Sequence, residues 1–408
     1  MDRHAMRTTS TRLHTGVPIA LAALLAVPAF GLADRAAALQ EPPQLVPAKQ
    51  PRRYRLVPPP IYPGADVGFP QFDRFVQGPV RTSFEPGKVF VIEFFSTTCG
   101  HCEEAAPIVE DLVRTYSPKG FEFIAVTTED EAKVREWLAK PENATRVKHS
   151  IASDPDQSAL KSLQFGTYRN SSPRFFVLKD GKVLWYGHPN VSAEPLKAIA
   201  EGTWNPESVR AEFILDSLVS RAREQTTNLA KECEKNGRWG ELIELYESVA
   251  AAMPDRASQF ELQKFGTLIG AARMPVEGYR FGRELAAKYA RSLPELRTLA
   301  RTTLSAPKVA FRDLDFAMDM AVAADNLGDG KDARAAELLA LAHFSKGDRE
   351  KAIANQERAI ELQTDVKQKK TYQQALQRFK TAAPGPLPES GQPGPTPAAP
   401  PSDAAAKP

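Results

Sequence analysis

The sequence is short of cysteine, of net charge and of long hydrophobic runs, and each shortage excludes a class of protein. Three cysteines in 408 residues are too few for a small disulfide-framework protein. The net charge of +3, from 53 basic and 50 acidic residues, gives no general case for nucleic-acid binding. Beyond the N-terminal region, no stretch reaches the ~18 apolar residues of a spanning helix. With 42% hydrophobic and 25% charged residues, the composition excludes disorder throughout.

The N-terminal region resembles a secretory signal. Arg3, Arg7 and Arg12 precede Val17–Ala33, a run without charge that ends in small residues. This pattern predicts a cleaved signal peptide over residues 1–33. The alternative is an N-terminal membrane anchor, because the run is near the lower limit of ~17–25 residues for a span. Both interpretations place the protein in the periplasm or otherwise outside the cytoplasm.

Proline is concentrated near the two ends of the chain, and this unevenness marks domain boundaries. Residues 40–63 contain eight prolines, and residues 384–408 contain nine. We therefore predict a semi-rigid, solvated linker over residues 34–66 and a disordered tail over residues 383–408.

Two regions of different sequence pattern lie between these segments. Residues 67–203 alternate short apolar runs with amphipathic stretches, which predicts a sheet covered by helices. The predicted strands are Val89–Phe95, Phe121–Val126, Arg174–Leu178 and Val183–Tyr186. A hairpin turn at Asp180–Gly181 joins the last two of them. Residues 204–382 are rich in Ala, Leu, Glu, Arg and Lys, which predicts an all-α domain of helices 12–18 residues long.

The sequence Cys99–Gly100–His101–Cys102 carries the predicted chemistry. It stands between an apolar strand and an amphipathic helix, and cysteines three apart at a helix start lie close enough to bridge. Free N–H groups and the helix dipole favour a thiolate at Cys99, whose pKa should fall below ~8.5. We predict that one cysteine attacks and the other resolves the mixed disulfide. His101 should favour the thiolate and hence an oxidising couple.

Glu93 is the one charged residue within the apolar strand before these cysteines. A carboxyl group in a strand buried on both faces should be desolvated, with a raised pKa. It could then exchange a proton with Cys102 as the mixed disulfide resolves. The alternative is a glutamate at the exposed edge of a half-buried strand.

Ser172–Pro173 precedes a predicted strand, and a proline is tolerated there in either isomer. A cis bond would turn the Ser172 backbone toward the cysteines and offer a docking edge for an extended substrate peptide. The sequence alone leaves the isomer open.

No metal or cofactor is predicted. A structural zinc site needs about four ligands, whereas the third cysteine, Cys233, is far along the chain and His149, His188 and His343 are isolated in the sequence. Cys233 itself is interpreted as a small buried residue of a helix.

At these residues the chain resembles thioredoxin-like thiol:disulfide oxidoreductases. Val91–Phe95 followed by the Cys-Gly-His-Cys site resembles protein disulfide isomerase, and the layout around Ala125–Asp130 and Ser171–Lys182 is similar to the TlpA/ResA group. The resemblance covers residues 84–203. It implies a thioredoxin-like fold, with Cys99 as nucleophile, Cys102 as resolving thiol, Glu93 as buried acid and Pro173 as the cis-proline.

The two resemblances imply different directions of electron flow. Protein disulfide isomerase has the same dipeptide, whereas the usual role of the TlpA/ResA group is reduction. Thr98 stands where the family usually has tryptophan, which leaves the substrate preference open.

The helical half is similar to tetratricopeptide repeats. Residues 338–348 run through Gly347–Asp348 into a second alanine-rich helix over residues 352–362, as in one such repeat. The stretch around Gly237 and Trp239 resembles the second helix of another. This domain is either a surface for a protein partner or a support packed on the redox domain.

The sequence thus predicts an exported thiol–disulfide oxidoreductase that acts on protein thiols and disulfides and binds no nucleic acid. A membrane redox partner is one candidate for recycling its cysteines, and the sequence leaves the identity of the recycling protein open. The alternative is a protein-interaction scaffold whose cysteine pair is structural.

Overall fold

A computed structural model describes residues 54–163, 167 and 172–386. The predicted signal peptide, the first part of the predicted linker and nearly all of the predicted tail lie outside these residues. Within the described ranges, no helix combines the length and the apolar character needed to cross a bilayer.

The N-terminal half is an α/β domain built on one mixed sheet. Its strands are β1 (Arg74–Gln77), β2 (Val89–Phe94), β3 (Phe121–Thr127), β4 (Ser150–Ser153), β5 (Arg174–Lys179) and β6 (Lys182–Gly187). In the described part of the chain they lie in the order β1-β4-β3-β2-β5-β6. Strands β2, β3 and β4 are parallel, while β1, β5 and β6 pair antiparallel with their neighbours. This is the predicted thioredoxin-like arrangement.

Strand β2 lies at the centre of the domain, and all six of its residues are buried. Successive side chains point to opposite faces of a sheet. Val91 accordingly packs with the helix residues Val109 and Leu112 on one face, and Ile92 packs with Phe176 on the other. Burial on both faces explains the near-continuous apolar run of this strand.

The four predicted strands are confirmed, but β1 and β4 were not predicted. Each has only four residues, which is too short for a clear alternation of apolar and polar positions. The predicted hairpin is also present. Asp180 and Gly181 have φ angles of 47° and 77°, as a tight turn between antiparallel strands requires.

Helices surround the sheet and form the C-terminal half as far as the structure describes it. Those of the α/β domain are α1 (Gly100–Tyr116), α2 (Glu131–Leu138), α3 (Pro141–Arg146), α4 (Ser158–Leu163) and α5 (Ala193–Ala200). Those of the helical half are α6 (Pro206–Asn236), α7 (Trp239–Ala252), α8 (Ala257–Ile269), α9 (Pro275–Lys288), α10 (Leu293–Ser305), α11 (Leu314–Leu327), α12 (Ala333–Ser345), α13 (Arg349–Leu362) and α14 (Val366–Thr381).

The length prediction was wrong for α6, which has 31 residues. Helix α6 packs on β6 near Phe213 and on α7 further along, and these contacts stabilise its extra turns. It ends where Gly237 takes a left-handed conformation at φ 72°, which a glycine adopts without strain.

The predicted alanine-rich hairpin corresponds to α12 and α13. Ala340 and Ala342 of α12 and Ala352 of α13 are fully buried, and Gly347 makes the turn at φ 94°. Small side chains let the two helix backbones approach closely, as in a repeat of paired helices.

The expectation of a solvated linker is wrong for residues 61–65, which pack on the protein, whereas residues 55–58 are exposed as expected. Ile61 and Ala65 are each only 6% exposed. The N–H of Gly64 donates to the carbonyl of Val183 at 2.7 Å, and the Tyr54 hydroxyl donates to the carbonyl of Leu218 at 3.0 Å. The segment therefore pairs with β6 at one end and lies on α6 at the other. Prolines cannot continue a helix, but they do not prevent an extended chain from packing.

The helical half also packs directly on the sheet. The ring of Phe213 in α6 meets the ring of Tyr186 in β6 edge to face, with centroids 4.8 Å apart. The hydroxyl groups of Tyr186 and Ser217 are 3.2 Å apart and hydrogen-bonded. The supporting role considered for this half is thus present in the structure.

Candidate functional site

Cys99 and Cys102 form a disulfide at the start of α1, with their Cα atoms 5.2 Å apart. Cys99 is the N-cap residue of the helix, and its Sγ accepts a hydrogen bond from the backbone N–H of Cys102 at 3.2 Å. This places the sulfur at the positive end of the helix dipole, where a thiolate is stabilised. The predicted βα junction is confirmed.

The two sulfurs differ in access to solvent. Cys99 is half-buried, whereas Cys102, on the inner side of the first turn, is only 8% exposed. Because nucleophilic attack on a protein disulfide requires an accessible thiolate, this arrangement fits Cys99 as the attacking residue.

The peptide bond between Ser172 and Pro173 is cis, as the resemblance implied. The carbonyl oxygen of Ser172 lies 3.8 Å from the Sγ of Cys99. The Ser172 backbone therefore borders the accessible sulfur, where an extended peptide could lie beside it.

Glu93 lies in the centre of the sheet, between Ala125 of β3 and Phe175 of β5 in the strand register. It is 8% exposed, and burial raises its pKa to about 7. The prediction of a desolvated carboxyl group is confirmed, and the alternative of an exposed strand edge is wrong.

A cavity of about 50 Å³ joins Glu93 to the cysteines. Its lining includes Glu93, Cys99, Cys102, Trp137, Arg146 and His149. An ordered water needs on the order of 10–15 Å³ of such space and a few polar partners. The cavity therefore has room for water between the buried carboxyl group and the Cys102 sulfur.

His149 is isolated in the sequence, but in the structure it lies beside Glu93. Its Nε2 lies 3.9 Å from Oε2 of Glu93, and the imidazole side chain is 9% exposed. Burial lowers the pKa of His149 to about 4, so the ring is neutral at physiological pH. No sequence pattern pointed to this contact, because His149 precedes a strand too short to predict.

Glu129 is a second residue that sequence reasoning did not single out by role. Its carboxylate accepts hydrogen bonds from the backbone N–H of Thr97 at 2.9 Å, from the Thr97 hydroxyl at 2.8 Å and from the Thr127 hydroxyl at 2.9 Å. Lys133 forms an ion pair with it at 2.6 Å. These bonds hold the loop that leads to Cys99.

His101 lies on the exposed side of the first turn of α1. Its side chain is 82% exposed, and Nδ1 is 3.3 Å from Oε2 of Glu104. Its influence on the Cys99 thiolate stays a prediction. Burial lowers the pKa of His188, and the positive charge of Arg174 nearby lowers it further. His188 therefore borders the site rather than standing apart.

Cys233 is 1% exposed in α6, and its thiol donates to the carbonyl of Arg238 at 3.2 Å. The interpretation as a small buried helix residue is confirmed. No cluster of three or more potential metal-binding side chains occurs in the described part of the chain.

Comparison with known families matches residues 76–201 to the Redoxin family. The protein FixW of Rhizobium leguminosarum is 28% identical over 146 residues, which cover 32% of this chain and 62% of that protein. The thiol-disulfide oxidoreductase ResA of Bacillus anthracis is 29% identical over 99 residues, 24% of this chain and 53% of that protein. The chain thus spans between about half and two thirds of the length of these relatives, and its helical half lies beyond the Redoxin match.

Solved structures are similar to part of the chain. StoA of Bacillus subtilis is 15% identical with a TM-score of 0.21, over 25% of this chain and 75% of that chain. AhpC of Mycobacterium tuberculosis is 15% identical with a TM-score of 0.25, over 29% of this chain and 74% of that chain.

Proposed function

We propose that this chain is an exported thiol–disulfide oxidoreductase that exchanges disulfides with protein substrates through Cys99 and Cys102. The observation that carries the proposal is the asymmetry of the pair. Cys99 is accessible at a helix N-terminus, whereas Cys102 is buried above a cavity that ends at Glu93. The similarity to ResA over 99 residues supports it.

In the reducing direction, the Cys99 thiolate attacks one sulfur of a substrate disulfide. A mixed disulfide forms, and the first substrate thiolate leaves and takes a proton from water. Cys102 then loses its proton to Glu93, and its thiolate attacks the Sγ of Cys99. The Cys99–Cys102 disulfide forms and the second substrate thiolate leaves, so two electrons pass from the pair to the substrate. The reverse sequence oxidises a substrate dithiol.

Ser172 and Pro173 are proposed to bind the substrate chain during the first attack. The Ser172 carbonyl next to Cys99 could accept a backbone N–H of an extended peptide, as a neighbouring strand would. Substrates are therefore protein segments that can become extended around a cysteine.

The direction of electron flow is proposed to follow from the dipeptide between the cysteines, with His101 favouring an oxidant or isomerase. Equilibration with glutathione followed by thiol alkylation measures the reduction potential. A value of about −120 to −190 mV would support this direction. A value near −250 mV or below would contradict it and indicate a reductase supplied with electrons by a membrane partner.

The activity itself is tested by insulin reduction with Cys99→Ser, which should abolish the reaction. Cys233→Ala is the matched control, because this cysteine is buried in α6 and should leave the rate unchanged. Equal activity of Cys99→Ser and the unmodified protein would refute the proposed function.

The second candidate is a scaffold that binds a protein partner through its helical half, with a structural cysteine pair. The paired alanine-rich helices α12 and α13 favour it, since such pairs form binding surfaces in repeat proteins. A cysteine pair that stays oxidised under strongly reducing conditions would favour this candidate over the enzyme.

A further inference from the structure

We propose that His149 is a positioning residue that stabilises the ionised carboxylate of Glu93 from across the buried cavity, so that Glu93 can accept the Cys102 proton. The inference rests on the proposed function for its link to Cys102. The contact between Glu93 and His149 can be tested without turnover.

A side chain of the neighbouring strand β1 holds the backbone around His149 in place. The side-chain amide of Gln77 in β1 donates to the carbonyl of Val147 at 3.1 Å and to the carbonyl of His149 at 2.8 Å. These two bonds fix the segment between α3 and β4, from which the imidazole enters the cavity. A surface histidine without such a tether would be free to turn into solvent.

The imidazole of His149 lies near the Glu93 carboxyl group, and the cavity leaves room for the two to approach. Nε2 and Oε2 are 3.9 Å apart, just beyond a hydrogen bond, and both side chains line a space large enough for water. A small rotation would bring the two groups together, and a water in the cavity could join them. His149 can therefore contact the Glu93 carboxyl group in both its ionised and its protonated form.

The other charged groups around the cavity bind one another. Glu103 and Glu110 of α1 both pair with Arg146 of α3, at 2.8 Å and 3.2 Å. Cys102 and Cys99 complete the titratable lining. Of the charged and imidazole side chains described around the cavity, His149 is the one that lies within ion-pair distance of Glu93.

Burying a carboxylate costs free energy unless a hydrogen-bond donor or a positive charge contacts it. Burial raises the pKa of Glu93 to about 7 and lowers that of His149 to about 4. Near neutral pH the ring is therefore neutral and can donate an N–H to the carboxylate. Because only ionised Glu93 can take the Cys102 proton, loss of this donor should move proton transfer to higher pH.

The test is a pH titration of the Glu93 carboxyl group by infrared difference spectroscopy, with Glu93→Gln as the spectral reference. His149→Leu removes the donor and should raise the titration midpoint by about one pH unit, a tenfold change in proton affinity. His149→Gln keeps an amide donor and should shift the midpoint less. His343→Gln, a matched histidine replacement in α12, should leave it unchanged.

The pH dependence of Cys102 oxidation, followed by rapid quench and alkylation, should shift in the same order across these variants. An unchanged or lowered Glu93 midpoint in His149→Leu would overturn the inference. If that variant fails to fold, His149→Ala, which also removes the donor, is judged by the same criterion. Failure of the unmodified protein to reduce insulin would refute the enzymatic function instead, and the carboxyl titration would still test the contact.

Discussion

The carboxylate of Glu129 accepts a hydrogen bond from the backbone N–H of Thr97 at 2.9 Å and so ties the end of β3 to the loop before Cys99. Burial alone would raise the pKa of Glu129. The bonds from Lys133, Thr97 and Thr127 outweigh burial and lower it to about 2. The loop that presents the accessible sulfur is thus fixed by a carboxylate that stays ionised over most of the pH range.

Glu129→Gln should destabilise the protein at neutral pH. A group with a lowered pKa in the folded state contributes stability above its unfolded value, 4.5, and loses it as the pH falls toward about 2. This shift corresponds to about 3 kcal/mol at most. We expect a loss of roughly 1–3 kcal/mol at pH 7 that shrinks as the pH approaches 2, measured by urea unfolding.

Glu136→Gln on the exposed side of α2 is the control, and it should change the free energy of unfolding little. Equal effects of the two substitutions would show that the bonds to Thr97 and Thr127 do not stabilise the fold.

Glu93→Gln should have the opposite effect on stability. Its folded pKa of about 7 lies above the unfolded value of 4.5, so ionisation costs stability as the pH rises from 4.5 through 7. We expect the variant to gain up to about 3 kcal/mol at pH 8 and little below pH 4.5, again by urea unfolding.

The same substitution should slow formation of the Cys99–Cys102 disulfide from the mixed disulfide, because glutamine cannot accept the Cys102 proton. A loss of roughly 100-fold is typical of a missing general base. A variant with full rate at pH 7 would show that water alone accepts this proton.

Cys99 and Cys102 of the reduced protein should differ in their rates of alkylation. Cys99 is half-buried at the helix N-terminus, whereas Cys102 is 8% exposed and Cys233 is 1% exposed. We expect iodoacetamide to modify Cys99 at least about tenfold faster than Cys102 at pH 7. Mass spectrometry of timed samples gives both rates, and Cys233 should stay unmodified in the folded protein. Faster modification of Cys102 would reverse the assigned roles.

The stability of the α12–α13 hairpin should depend on side-chain size at the contact between its two helices. Ala352 of α13 is fully buried against α12, whereas Ala354, one half-turn away, is exposed. Ala352→Leu should cost roughly 1–3 kcal/mol through overpacking. Ala354→Leu should cost little, as measured by thermal unfolding. Similar unfolding temperatures for the two variants would show that the helices are loosely packed.

Local features of the chain could be predicted because they depend on neighbours in sequence. A helix start brings residues three apart together, so Cys99 and Cys102 could be assigned to one turn without knowledge of the fold. The apolar run around Glu93 indicated a buried strand, and Asp180–Gly181 indicated a turn. In each case the deciding interactions lie within a few residues.

Contacts between distant segments could not be predicted in this way. The approach of His149 to Glu93 depends on β4 lying beside β3, and on Gln77 in β1 holding the preceding loop. The packing of residues 54–66 on β6 and α6 likewise depends on surfaces formed by other parts of the chain.

The cysteine pair, its helix and the buried acid beside it could thus be located from the amino-acid sequence, because short-range geometry places them. The groups that surround that acid and hold the loop before Cys99 depend on the folded arrangement of the chain. Those groups, His149, Arg146 and Glu129, come from separate segments, and only the pairing of short strands and the packing of helices bring them to one cavity and one loop.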